Sequence, residues 1–175
     1  RPSCGMYFLS RPRRFGKSLT LSTLKAVFEG KKELFKGLAL YDKPYSWEKH
    51  PVIHLDMNGR RFDTLENLER SLREILKEQA LVHKVELEYE ASETMFQKLI
   101  LRLSEQGGVV VLLDEYDKPI LDNIAEGSTQ DFVRAMKSFY SVIKDKARDL
   151  RFVFVTGVSK FCHVSLFSDL NNLAD

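Results

Sequence analysis

Four short apolar runs punctuate the chain. Met6-Tyr7-Phe8-Leu9, Val52-Ile53-His54-Leu55, Val109 to Leu113 and Phe152 to Val155 each have strand length and end on polar residues. The third is continuously apolar and β-branched at its start, which predicts a strand buried on both faces, as in a parallel sheet. Between these runs the apolar spacing changes to that of helices. Leu19, Leu24, Val27 and Phe28 mark a first helix, ended by Gly30. Leu65, Leu68, Leu72, Ile75 and Leu76 form the stripe of a second, opened by Asp63 and Glu66 in capping-box spacing. Met95, Phe96, Leu99, Ile100 and Leu103 mark a third, stopped by Gly107-Gly108. Phe132, Met136, Phe139, Tyr140 and Ile143 mark a fourth, capped by Ser128.

Strands separated by helices predict a parallel sheet with right-handed crossovers. Lys31 to Trp47 reads as a long irregular connection, with Tyr41, Tyr45 and Trp47 packing it internally or presenting a partner surface. Neither a repeat nor a linker is visible, so residues 1–175 read as one domain.

Composition narrows this further. With 43% hydrophobic and 30% charged residues in 175, the chain can bury a core, which excludes collagen-like, disulfide-scaffold and low-complexity classes. No apolar run approaches the roughly 20 residues that span a bilayer. The two cysteines, Cys4 and Cys162, lack metal spacing and read as free thiols of a reducing, cytoplasmic setting. The net charge of +2 hides an asymmetry. Nine Lys and Arg face only Glu29 and Glu33 in the first 36 residues, which suits an anionic ligand, either a phosphate or a nucleic acid.

The candidate chemistry lies where strands end. Arg11-Pro12-Arg13-Arg14-Phe15-Gly16-Lys17-Ser18 sits between the first strand and the first helix. Gly16, Lys17 and Ser18 match the end of the phosphate-loop pattern G-x-x-x-x-G-K-[ST]. Such a loop turns backbone N–H groups and a helix N-terminus toward phosphate. The candidate nucleotide-binding residues are therefore Arg11, Pro12, Arg13, Arg14, Phe15, Gly16, Lys17, Ser18 and Leu19. Lys17 is expected to bridge β- and γ-phosphates and Ser18 to ligate Mg²⁺. Arg11 stands where the first glycine belongs, which predicts a reshaped loop.

Val109 to Leu113 followed by Asp114-Glu115 is a Walker B pattern. Asp114 is the second expected Mg²⁺ ligand, and Glu115 the general base toward water. Thr156, at the end of the fourth strand, is a sensor-like polar residue beside it or a backbone-satisfied threonine. Asp117 has a structural turn role or binds a neighbour. Arg13 and Arg14 either pair with local acids or serve as an arginine finger.

Taken with Leu113-Asp114-Glu115-Tyr116-Asp117-Lys118-Pro119-Ile120, Thr156-Gly157-Val158-Ser159-Lys160 and Leu170-Asn171-Asn172-Leu173, the Arg-Pro-Arg-Arg-Phe-Gly-Lys-Ser loop resembles the AAA-ATPase-like family of P-loop NTPases. Arg at the first loop position is usual there. The resemblance implies a three-layer α/β fold of the additional-strand (ASCE) division, with a 5-1-4-3-2 parallel sheet and helices on both faces. Four strands, in order 1-4-3-2, are expected here, the fifth lying beyond Asp175. A C-terminal PD-(D/E)xK nuclease domain often follows in that family. The expected function is binding of ATP and Mg²⁺, with ATPase turnover that drives or times a conformational change in a larger protein. The alternative is a nucleotide-gated regulatory or nucleic-acid-binding module with negligible turnover.

Overall fold

A computed structural model describes residues 5–12, 14–124, 129–159, 162 and 166, and the backbone of 173–174. Arg13, Ser128, Cys4, Lys160 and Leu170 to Asn172, all invoked above, lie outside the described residues.

The strands are β1 (Gly5–Ser10), β2 (Val52–Asp56), β3 (Val109–Asp114), β4 (Leu150–Gly157) and β5 (Leu173–Ala174). The helices are α1 (Lys17–Phe28), α2 (Leu65–Val82), α3 (Ser92–Ser104), α4 (Lys118–Leu121) and α5 (Thr129–Asp145), with a 3-10 turn at Lys32–Phe35. All pairings are parallel, in the order β2-β3-β4-β1-β5. The four expected strands thus lie in the expected order. The expectation for the fifth is corrected: Leu173 and Ala174 pair with Met6 and Tyr7 inside this chain, as a two-residue edge strand.

Every residue of β3 is buried, because helices cover both of its faces. On one face Ile53, Leu55, Val111, Leu113, Val153 and Val155 pack against α2, α3 and α5 in the larger core. On the other face Val52, Val110 and Leu112 meet Leu21 and Phe28 of α1. Side-chain alternation along a strand makes this division automatic. It also places Asp114, two residues after Leu112, on the α1 face.

Two helix readings change in detail. The α2 cap is Thr64, whose Oγ1 accepts from the Asn67 N–H at 3.1 Å, while Asp63 instead binds the Asn67 side chain. Leu65 and Leu19 sit on their helices' predicted apolar stripes yet are exposed; in α1 it is Leu21 that is fully buried. Both exposed leucines occupy the first turn of their helices. The long connection is packed internally, with Trp47 against Phe35 and Tyr45 at ring-centroid distances of 5.2 and 5.3 Å.

Candidate functional site

The parallel register brings the carboxyl ends of the strands to one edge. Asp56 of β2 pairs with Asp114 of β3. Leu113, just before Asp114, pairs with Val155, just before Thr156 of β4. Thr156 in turn pairs with Leu9, the penultimate residue of β1 before the loop into α1. Four segments distant in sequence therefore meet at this edge.

The loop from Arg11 to Gly16 makes its left-handed turns at Arg14 (φ 66°) and Gly16 (φ 74°). Arg11 is not among the positive-φ residues, so its side chain costs no backbone strain at the position where the pattern expects glycine. Gly16 caps α1, and its carbonyl accepts from Thr20 N–H at 2.9 Å. Arg11, Pro12, Arg14, Phe15, Gly16 and Leu19 are all exposed to solvent around the start of α1. Arg14 makes no ion pair with the described residues.

Lys17 behaves differently. It is only 5% exposed, and its Nζ donates to the carbonyls of Arg11 at 3.0 Å and Pro12 at 3.2 Å. The loop thus folds over its own lysine and holds a buried cation at the N-terminus of α1, where the helix dipole is also positive. The two carbonyls satisfy two of the three donors of this buried ammonium.

The anionic half is equally ordered. Ser18 Oγ donates to Asp114 Oδ2 at 2.7 Å, and Thr156 Oγ1 donates to Asp114 Oδ1 at 2.7 Å. Asp114 is 2% exposed and Thr156 fully buried. A carboxylate this deep needs donors to both oxygens, and it has them. Glu115, next in the chain, is half-buried with φ 52°, and its carboxylate forms no hydrogen bond to the described residues. The Ser18 hydroxyl and Asp114 carboxylate form an all-oxygen donor pair at the sheet edge, which suits Mg²⁺.

Two further acids belong to this edge. Asp117 is 1% exposed, and its Oδ2 accepts from the backbone N–H groups of Val158 at 2.9 Å and Ser159 at 2.7 Å. Burial pushes its carboxyl above the usual carboxylate range, and those two N–H groups and the Lys17 charge partly restore it. Asp56, read from the sequence only as the end of a strand, accepts from Asn58 N–H and Nδ2. The signal that was available is Leu55-Asp56 itself, an apolar strand ending in Asp as β3 does. Behind it His54 Nε2 is buried without a hydrogen-bond partner among the described residues, and burial lowers the imidazole pKa.

The arrangement joins a cationic loop to a buried carboxylate held by two hydroxyls. The family described as Predicted AAA-ATPase matches residues 3–167. A protein of Azotobacter chroococcum mcd 1, described as an uncharacterized protein in the vnfD 5' region, is 45% identical over 175 aligned residues. The alignment covers 97% of this chain and 33% of that relative, so the chain spans about a third of the relative's length. No solved structure matches the chain.

Proposed function

The chain belongs to the AAA-ATPase-like family, and from that premise we propose that it binds ATP with Mg²⁺ at the Arg11–Ser18 loop and hydrolyses it. The observation that carries this reading is the convergence of Lys17, Ser18, Thr156 and Asp114 at one sheet edge. Ser18 and Asp114 would hold Mg²⁺, which when bound supplies charge neutralisation on the phosphates. Lys17 exchanges the Arg11 and Pro12 carbonyls for phosphate oxygens, a favourable trade for a buried ammonium. The backbone N–H groups at the start of α1 take the remaining phosphate contacts. Thr156 holds Asp114 in one orientation. Glu115, whose carboxylate is not engaged by its neighbours, accepts a proton from the attacking water. Hydrolysis then drives or times a rearrangement in a longer protein, of which residues 1–175 form the nucleotide-binding core.

Titration calorimetry with ATP and Mg²⁺ tests this on wild type, Lys17→Ala and Glu115→Gln. Binding lost in Lys17→Ala, with binding kept and single-turnover hydrolysis stopped in Glu115→Gln, supports the reading. Equal binding by Lys17→Ala removes the site. Wild-type binding with no hydrolysis in a single turnover leaves a nucleotide-gated module instead.

A further inference from the structure

Asp117 lies outside the phosphate loop and the strand–Asp–Glu motif, yet it ties both to the exit of β4. Its Oδ2 takes the N–H groups of Val158 and Ser159. Its neighbour Tyr116 adds two contacts, the phenol donating to Ser159 O at 2.7 Å and the backbone N–H donating to Thr156 O at 3.1 Å. Tyr140 Oη in turn donates to Tyr116 O at 3.1 Å from α5. The same exit segment reaches the loop on the other side. Gly157 O accepts from Arg11 N–H at 3.2 Å. Residues 156–159 therefore bridge the start of the phosphate loop to the residues after Asp114.

The bridge is tight. A Cβ on Gly157 would lie 2.2 Å from Tyr116 Cε1 and 2.9 Å from Asp117 Oδ1. Only glycine lets these two segments approach so closely. Glu115 sits directly before this contact in a left-handed conformation that costs a non-glycine residue free energy. Something must hold it there, and the Tyr116 and Asp117 contacts are the restraints immediately following it.

We propose that Asp117 is a positioning residue for hydrolysis: by gripping the Val158 and Ser159 N–H groups it sets Glu115 and Thr156 relative to the phosphate loop, without touching nucleotide itself. The inference rests on the ATP-site reading above. Two further features fit a positioning carboxylate. Burying an acid at 1% exposure is unfavourable, and two N–H donors converging on one oxygen can be served by a neutral acceptor side chain. The Lys17 charge adds a weaker favourable interaction with its carboxylate.

The test compares wild type, Asp117→Ala, Asp117→Asn and Tyr116→Phe in nucleotide affinity, single-turnover rate and thermal midpoint. Asp117→Ala is expected to keep its affinity for ATP with Mg²⁺ within about threefold while the rate falls about 30-fold, within the roughly 10²-fold that a 1 Å misplacement can cost. Asp117→Asn keeps an acceptor and should recover part of that loss. Tyr116→Phe keeps the ring and loses only the Ser159 contact, so it should slow turnover about threefold at unchanged affinity on the same reasoning. A rate within twofold of wild type in a folded Asp117→Ala overturns the inference. So does a loss shared equally by affinity, rate and thermal midpoint across the three variants, which marks a purely structural acid. Absence of nucleotide binding in wild type overturns the site reading and this inference together; normal binding and turnover in Asp117→Ala overturns this inference alone.

Discussion

Ser18 Oγ lies 2.7 Å from Asp114 Oδ2, although 96 residues separate the two in the chain. That bond joins the first turn of α1 to the end of β3 and closes one side of the Asp114 carboxylate. Thr156 closes the other. Both carboxylate oxygens are therefore held by hydroxyls from segments far apart in the chain.

The two hydroxyls should prove unequal in their effect on stability. Thr156→Val keeps the shape but leaves Asp114 Oδ1 buried without a donor, costing about 2 kcal/mol. Ser18→Ala removes a bond at a part-buried position, and should cost less, about 1 kcal/mol. Because both act on one carboxylate, the double variant should depart from additivity. Urea unfolding of the two single variants and the double variant measures this; strict additivity would show that the two bonds are independent.

Glu115 offers a test of strain. Its φ of 52° favours glycine, so Glu115→Gly should be more stable than Glu115→Ala by about 1 kcal/mol. Under the proposed role both variants lose hydrolysis, and the glycine variant then trades activity for stability. Should Glu115→Ala be the more stable of the pair, the left-handed turn is not a source of strain.

His54 makes stability depend on pH. Burial lowers its pKa, with Lys25 adding to the effect and Asp56 and Asp114 opposing it. The unfolded chain binds a proton on this group near 6.5, and the folded chain only at lower pH. Between those values the unfolded state holds more protons, so stability rises with pH. His54 therefore favours the fold above about 6.5, and that contribution fades as pH falls toward the folded value. His54→Leu should flatten the fall in unfolding midpoint between pH 6.5 and 5 on the same linkage. Equal slopes in the two proteins would sink the assignment.

Much of this was legible in the residues because it is local. A short, β-branched apolar run such as Val109 to Leu113, stopped by polar residues, predicts a strand covered on both sides with Asp114 at its end, and that is the strand observed. Gly16, Lys17 and Ser18 match the end of the phosphate-loop pattern, and the strand, turn and helix that pattern expects are all present around them. The α2 cap was misplaced by one residue because Asp63 and Thr64 both carry acceptors, and only the backbone conformation of Thr64 (φ −135°, ψ 159°) selects between them. Leu19 and Leu65 follow the right period but lie in the first turns of their helices and are exposed, and the period alone does not show where along a helix the buried stripe begins.

The amino-acid order by itself determined the four main strands, their alternation with helices and the residues at their carboxyl ends, since each depends on side-chain period and neighbouring turns. Tertiary structure decided the rest. It showed that Arg11 is tolerated because the loop's left-handed turns fall at Arg14 and Gly16. It put Asp56 beside Asp114 through strand register, and it paired Leu173 and Ala174 with β1. It gave Asp117 its task, because the two N–H groups that define it lie 41 and 42 residues away. Contacts of that range are set by how the sheet is ordered, and no local pattern carries them.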